Sequence, residues 1–299
     1  MDDSLIRIDF VKMTGAGNDF VLIDNIEQNL QLNWSSVAPV VCNRRYGVGA
    51  DGLLVLEKSV ISAFKMNYFN ADGSYGGMCG NGGRCSAHYV MEKLGLHQVK
   101  FETFDFIYTA ESFDKQVNLQ MRDPKSIQLN ILIHILGENI SAHFIDTGSP
   151  HVIIFVDRLS SELQQKIKHA GIIEVGRAIR FNQHFAPDGV NVDFIQIIDD
   201  STISMRTYER GVEDETLACG TGAVASAICA FLMGDLATQI FINTRSGEVL
   251  KVSFNKHDNK LTDICLQGSA RVIFHGYLCY SRSKNLLIQA VTTKFEVKT

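Results

Sequence analysis

Two short phrases repeat in the chain, Met78-Cys79-Gly80-Asn81-Gly82 and Ala218-Cys219-Gly220-Thr221-Gly222, and each opens a stretch that reads as helix. A thiol is thereby set at each of two helix N-termini. The backbone N–H groups and the positive end of the helix dipole there favour a thiolate over a thiol and attract carboxylates. Glycines beside each cysteine leave the backbone open to close approach of a ligand. A pair of such sites predicts a pair of acid/base groups.

The chemistry that needs such a pair is inversion of a carbon next to a carboxylate. One fixed base returns the proton to the face it came from. Two groups on opposite faces, one a thiolate while the other is a thiol, invert the centre. The intermediate places added negative charge on the carboxylate, and the N–H groups of Gly80, Asn81, Gly220 and Thr221 are the candidate donors to it. The two phrases therefore read as one site at a domain interface. A lone Cys-Gly is usually a buried thiol before a turn; repetition in matching context is what lifts these two above that reading.

Other chemistries fit less well. Cys79 and Cys85 lack zinc-type spacing and no paired histidines accompany them, so no metal is expected. No lysine sits in the conspicuous motifs to hold a pyridoxal group, so no cofactor is expected. Gly15-Ala16-Gly17 is followed by Phe20 where a dinucleotide fingerprint needs its third glycine, which argues against nucleotide binding.

With 299 residues, 45% hydrophobic and 20% charged, the chain has room for two domains with full cores. A net charge of −5 without a basic run argues against nucleic acid and for a small-molecule partner. The acidic Met1-Asp2-Asp3-Ser4 start lacks a secretory signature, so a cytoplasmic protein is expected. The uncharged run Thr216 to Gly234 approaches membrane-span length but is rich in Ala, Gly, Thr, Ser and Cys, which reads as a buried helix and no membrane contact. Seven cysteines, an odd number, argue against a disulfide framework; Cys42, Cys85, Cys229, Cys265 and Cys279 read as packing residues.

The elements that must position the thiols follow from periodicity. Strands are expected at Arg7–Met13, Val21–Asp24, Leu53–Glu57 and Phe64–Phe69, ahead of a helix from about Gly82 to Leu94 stopped by Gly95. Strands at Val99–Thr103, Phe106–Glu111 and Val117–Met121 follow. The second half repeats the plan, with strands at His143–Thr147, His151–Val156, Val190–Ile197 and Thr202–Tyr208. A helix from Gly222 to Met233 comes next, then strands at Ile240–Thr244 and Glu248–Phe254 joined by the turn Arg245-Ser246-Gly247. Along Val190–Ile197, Val190, Val192 and Phe194 are expected to face a core, with Asn191 and Asp193 pointing the other way. Asn70 precedes Cys79 by nine residues (79 − 70), and Arg210 precedes Cys219 by nine (219 − 210). The expected fold is α+β, two similar lobes each with a mostly antiparallel sheet curved around one helix. The lobes are read as residues 1–123, possibly completed by 275–299, and 124–274, with Asp123-Pro124 between them.

The motifs resemble those of the diaminopimelate epimerases, cofactor-independent amino-acid racemases that use two cysteines. The likeness runs through Phe10-Val11-Lys12-Met13-Thr14-Gly15-Ala16-Gly17-Asn18-Asp19-Phe20, Gly47-Val48-Gly49-Ala50-Asp51-Gly52, Asn70-Ala71-Asp72-Gly73, both cysteine phrases and Tyr208-Glu209-Arg210-Gly211, covering about Arg7 to Tyr277. It implies interconversion of LL- and meso-diaminopimelate, on the route to lysine and peptidoglycan, by a homodimer. It also implies that Cys79 and Cys219 are the acid/base pair and that Glu209 and Asn18 hold the reacting amino group. Arg210, Asn70 and Asn191 would hold the distal amino-acid head, and His151 would steady Glu209. Ser149 departs from the pattern, since many members carry Asn there, so that distal contact is altered. The tail after Tyr277 runs past the usual family end as an extra strand, a dimer cover or a disordered segment. Two rivals remain: a histidine- or proline-type racemase on the same fold, and a thiol redox or binding protein.

Overall fold

Alternating side chains build the strands. In Phe64–Asn70, for example, Phe64 and Met66 are buried while Lys65 and Asn67 are half-exposed. The computed structural model describes residues 5–104, 106–234, 236–258 and 260–295. The chain divides into two compact units, one made of residues up to Leu119 and from Gly268 onward, the other of Gln120–Gln267.

The first unit begins with β1 (Leu5–Gly15), β2 (Asn18–Asp24), α1 (Asn25–Gln28), α2 (Trp34–Val41), β3 (Gly52–Glu57) and β4 (Phe64–Asn70). It continues with α3 (Gly80–Leu94), β5 (Gln98–Glu102), β6 (Ile107–Phe113) and β7 (Gln116–Gln120). β1/β2 is antiparallel, β2/β3 parallel, β3/β4 antiparallel, β4/β5 parallel, and β5/β6 and β6/β7 antiparallel. α3 touches every strand from β1 to β6, as a helix wrapped by its sheet must. The opposite face of the sheet is covered by α2, whose Trp34, Val37, Ala38 and Val41 pack on Ile8, Val21, Leu53 and Val55.

The second unit holds β8 (Ser126–Ile135), β9 (Glu138–Asp146), β10 (Pro150–Phe155), α4 (Ser161–Ala170), α5 (Ile173–Arg180) and β11 (Asn191–Ile197). β12 (Thr202–Glu209), β13 (Asp214–Thr216), α6 (Gly220–Gly234), β14 (Gln239–Asn243), β15 (Val249–His257) and β16 (Lys260–Gly268) follow. β9/β10 is antiparallel, β10/β11 parallel, β11/β12 antiparallel, β12/β14 parallel, and β14/β15 and β15/β16 antiparallel. This is the sequence of pairings found in the first unit, strand for strand. The repeat extends one step further back, where β17 (Arg271–Ser281) pairs antiparallel with β1 as β8 does with β9. β18 (Leu286–Phe295), antiparallel to β17, has no counterpart among the described residues, so the tail past Tyr277 contributes an extra strand over Leu286–Phe295.

α6 is apolar almost all round because six strands, β9 to β12 with β14 and β15, surround it. Its 15 residues span only about 22 Å, and no helix among the described residues is long and apolar enough to cross a membrane. Val190, Val192 and Phe194 join an apolar cluster as expected, and Asn191 and Asp193, on the other face, are buried as well. The first face is covered by Leu163 and Ile167 of α4 and Val175 and Ile179 of α5, the second by α6, so neither face is open to solvent from Asn191 to Ile195, and only the last two residues of the strand are exposed. Cys42, Cys85 and Cys229 are buried packing thiols, and burial pushes the Cys42 thiol up to about 12.

Candidate active site

In the first unit Cys79 is the N-cap of α3, and its Sγ accepts the Gly82 N–H at 3.4 Å. Asn81, buried in the first turn, donates its amide to Asn18 Oδ1 and accepts from Arg84 Nη2 at 2.8 Å. Asn18 Nδ2 donates to Asp51 Oδ2 at 3.0 Å, and Asp51 Oδ1 accepts from Arg44 at 2.7 Å. A run of hydrogen bonds from Arg44 through Asp51, Asn18 and Asn81 to Arg84 thus fixes which way both amides point beside the thiol.

The same Arg44 grips Asp19, as does the buried Lys12 at 2.6 Å. Burial alone would raise the Asp19 carboxyl, but hydrogen bonds from Arg44 and Lys12 outweigh it and hold it down at about 2. A depressed folded value means stability that is complete above the unfolded carboxylate range and drains away as pH falls from about 4 to about 2. The loss amounts to at most about 2 kcal/mol. Asp19→Asn is expected to lower urea stability at pH 6 and to flatten this acid dependence; a variant as acid-sensitive as the native chain would refute the assignment.

In the second unit Cys219 precedes α6, with Ala223 N–H bonded to its carbonyl at 2.9 Å and the Gly222 N–H directed at its sulfur. Its Sγ lies 3.5 Å from Thr221 Oγ1. Thr221 Oγ1 is 2.9 Å from His151 Nε2, and His151 Nδ1 is 2.7 Å from Asp193 Oδ2. Thr207 donates to the other carboxylate oxygen at 2.6 Å. His151 and Asp193 are both fully buried. Burial first, then the Glu209 and Asp193 carboxylates, push the Cys219 thiol well above its ordinary value, opposed by the Thr221 and Gly222 hydrogen bonds.

The remaining expected residues lie at strand ends. Asn70 closes β4 and donates to Ser74 Oγ at 2.9 Å. Glu209 closes β12, half-buried, with Arg210 next in the turn. The Asn191 amide is committed: Nδ2 donates to Ser149 Oγ at 3.0 Å and to the Pro150 carbonyl at 3.1 Å, while Oδ1 accepts the Arg210 N–H at 2.9 Å. Asn191 thereby ties the loop before β10 to the backbone that carries the Arg210 guanidinium. Arg210 and Pro150 line a cavity of about 450 Å³ together with Phe144, His184 and Phe185.

Within their own unit, Asn18 and Asn81 meet beside Cys79, as do His151 and Thr221 beside Cys219, and Ser149, Asn191 and Arg210 form a third group. Both ring nitrogens of His151 are engaged, by Asp193 and Thr221. Sequence reasoning gave no role to Asp51, Arg84 or Asp193. The signal was present: each is a charged residue inside a glycine-rich motif or on a strand face shared with a site residue, as Asp193 shares one with Asn191 two positions away.

A mixed sheet wrapped around a helix headed by Cys-Gly-x-Gly, built twice, defines the class. The fold is that of a hydroxyproline epimerase from Agrobacterium vitis, at TM-score 0.67 and 14% identity over 93% of this chain and 94% of that one. A Bacillus anthracis phenazine biosynthesis protein of the PhzF family shares it at TM-score 0.64 and 14% identity, over 97% of this chain and 100% of that one. Sequence narrows the class further. Residues 10–117 and 143–273 match the diaminopimelate epimerase family, and the chain belongs to that family. It is 41% identical to the diaminopimelate epimerase of Chlorobaculum tepidum over 270 residues, 88% of this chain and 98% of the relative. It is 38% identical to that of Aquifex aeolicus over 284 residues, 91% of this chain and 98% of the relative.

Proposed function

We propose that the protein is an isomerase that interconverts LL- and meso-diaminopimelate by moving the α-proton, with Cys79 and Cys219 as the two bases and no cofactor. The observation that carries the reading is the repeated thiol: each sulfur sits at a helix N-terminus, Cys79 Sγ accepting the Gly82 N–H at 3.4 Å and Cys219 Sγ lying 3.5 Å from Thr221 Oγ1. One thiolate takes the proton from the α-carbon while the other thiol delivers one to the opposite face. The first-turn N–H groups of Gly80, Asn81, Gly220 and Thr221 stabilise the charge that builds on the substrate carboxylate. Glu209 and Asn18 hold the reacting ammonium; Arg210, Asn70 and Ser149 take the distal head, with Asn191 setting the Arg210 backbone. A histidine- or proline-type racemase is less well supported, since the relatives at 38–41% identity are diaminopimelate epimerases and the hydroxyproline epimerase shares only 14%. By the same resemblance the protein works as a cytoplasmic homodimer in lysine biosynthesis.

The test is α-proton exchange followed by NMR in deuterated buffer with reductant, offering LL-diaminopimelate beside lysine, histidine and proline. Exchange with inversion of diaminopimelate alone is expected; inversion of another amino acid instead reassigns the substrate. Arg210→Ala is expected to raise KM by about 10–100-fold with a smaller change in kcat, the worth of one charge-assisted fork to a carboxylate. Arg210→Lys should recover little, because an ammonium cannot make the planar two-point contact. An unchanged KM in Arg210→Ala would remove Arg210 from the distal pocket.

A further inference from the structure

In the second unit one short loop joins the group around Arg210 to the start of α6. Thr147, Gly148 and Ser149 connect β9 to β10, between the paired Asp146 and Pro150. Gly148 turns the corner at φ 99°, its N–H held by Asp146 Oδ1 at 2.8 Å, and Thr147 N–H donates to the Ser149 carbonyl at 3.2 Å. On one side Asn191 Nδ2 donates to Ser149 Oγ at 3.0 Å while Asn191 Oδ1 accepts the Arg210 N–H at 2.9 Å. On the other, the buried Thr147 donates its hydroxyl to the Thr221 carbonyl at 3.2 Å. Thr221 belongs to the first turn of α6, and its Oγ1 lies 3.5 Å from Cys219 Sγ. Hydrogen bonds therefore lead without a gap from Arg210 through Asn191, Ser149 and Thr147 to Thr221.

The hairpin itself does not need the threonine. A Cβ on Gly82 would meet Leu54, and one on Gly222, also third after its cysteine, would meet Asp193. Leu54 pairs with Leu22 and Asp193 with Ile153, both in parallel ladders, so Leu22 and Ile153 hold matching places. Four residues before each stand Asn18 and Ser149, and five before stand Gly17 and Gly148, at φ 92° and 99°. Six before, Ala16 occupies the place of Thr147 and turns the same corner, fully buried, with a methyl group alone. A buried hydroxyl is unfavourable unless it is bonded, and Thr147 commits its own to α6 rather than to the loop.

We propose that Thr147 is a positioning residue that couples the two ends of the substrate. Capture of the distal head by Arg210 and Ser149 sets the loop, and the Thr147 hydroxyl sets the Thr221 carbonyl and with it the first turn of α6 against the reacting centre. The Thr221 carbonyl and the Gly222 N–H share one planar peptide group, so fixing the first fixes the direction of the second. Binding free energy from the distal head is thereby used to orient the groups that move the proton, and a substrate without that head loses rate as well as affinity. Thr147 acts through Thr221 and Ser149. The inference rests on the reading of diaminopimelate as the substrate.

The test sets one substitution against one change of substrate. The native chain, Thr147→Val and Thr147→Ser are each offered diaminopimelate and 2-aminoheptanoate, which has the same seven-carbon chain and reacting head but no distal head. Exchange of the α-proton in deuterated buffer gives kcat and KM. Thr147→Val, which keeps the shape and removes the hydroxyl, is expected to lower kcat on diaminopimelate by about tenfold at a KM within about twofold of native, the scale of one lost buried hydrogen bond. Its exchange of 2-aminoheptanoate should stay within about twofold of native, and Thr147→Ser should match the native chain on both. Circular dichroism checks folding; if Thr147→Val does not fold, Thr147→Ala, the residue at the matching place in the first unit, replaces it. An equal fall on both substrates makes the hydroxyl a support for α6 alone and overturns the coupling, as does an unchanged kcat on diaminopimelate or a change in KM alone. Where native exchange of 2-aminoheptanoate is too slow to time, diaminopimelate and the double variant Ser149→Ala/Thr147→Val decide: a double variant no slower than the slower single supports one path, and factors that multiply overturn it. A native chain that exchanges 2-aminoheptanoate as fast as diaminopimelate overturns the substrate reading and the coupling together, whereas native preference for diaminopimelate with parallel losses in Thr147→Val overturns the coupling alone.

Discussion

Cys79→Ser and Cys219→Ser are each expected to cut epimerisation by about 10²–10⁴-fold while leaving the fold intact. Serine matches the thiol in shape; at position 79 it can still accept the Gly82 N–H that caps α3, and at position 219 the carbonyl that receives the Ala223 N–H is unchanged, so α3 and α6 keep their starts. Its hydroxyl, however, cannot ionise near neutrality, so one face of the substrate loses its proton acceptor or donor. Both single variants should fall by similar factors, and the double variant should lose little beyond either one, because groups that act as a unit are not additive. The residual chemistry is more telling still. With one thiol left, each variant should exchange the α-proton of only one stereoisomer and return it without inversion, and the two variants should prefer opposite stereoisomers. Stereoisomer-resolved NMR in deuterated buffer measures this directly. Near-native inversion in either variant, or the same preference in both, would rule out a base on each face.

The reason so much of this site was legible in the sequence is that its two halves are local. Cys79 with Gly82, and Cys219 with Gly222, are within one helical turn, and Gly95 at φ 64° ends α3 where the pattern placed the stop. α3 starts at Gly80 and α6 at Gly220, each two residues earlier than periodicity suggested, because the glycines that blur a helical pattern are the ones the site needs. What escaped the reading is long-range or short. α2 carries Pro39 inside eight residues, and α5 is an eight-residue helix with Gly176 in it, so neither has the length for a clear period. β8 breaks its own alternation with a register shift between Gln128 and Ile131, where Asn130 takes φ 57°. Asn191 and Asp193 do point away from the Val190, Val192 and Phe194 face, but that this face is covered by α4 and α5 and theirs by α6 depends on elements distant in sequence, which alternation along one strand cannot reveal.

Gly222→Ala is expected to destabilise the second unit, against the grain of helix propensity. An alanine in a helix interior normally gains about 1 kcal/mol over glycine. At Gly222, however, a Cβ would stand 2.5 Å from Asp193 Oδ1 and 3.1 Å from the carboxyl carbon. That carboxylate cannot swing away, since Thr207 holds one oxygen and His151 the other in a fully buried setting. The added methyl forces either α6 outward or the carboxylate off its partners, and overpacking of this kind costs about 1–3 kcal/mol. Gly82→Ala is the matched control, because its Cβ would meet the methyl end of Leu54 at 2.9 Å, an apolar group that rotates at small cost. Scanning calorimetry of both variants should therefore show a lower transition temperature for Gly222→Ala than for Gly82→Ala, by several degrees. Gly222→Ala should also lose activity at a temperature where it remains folded, since the displaced carboxylate no longer orients His151. If Gly222→Ala proves as stable as Gly82→Ala, the Asp193 carboxylate is free to move, and neither its fixed orientation nor its hold on His151 survives.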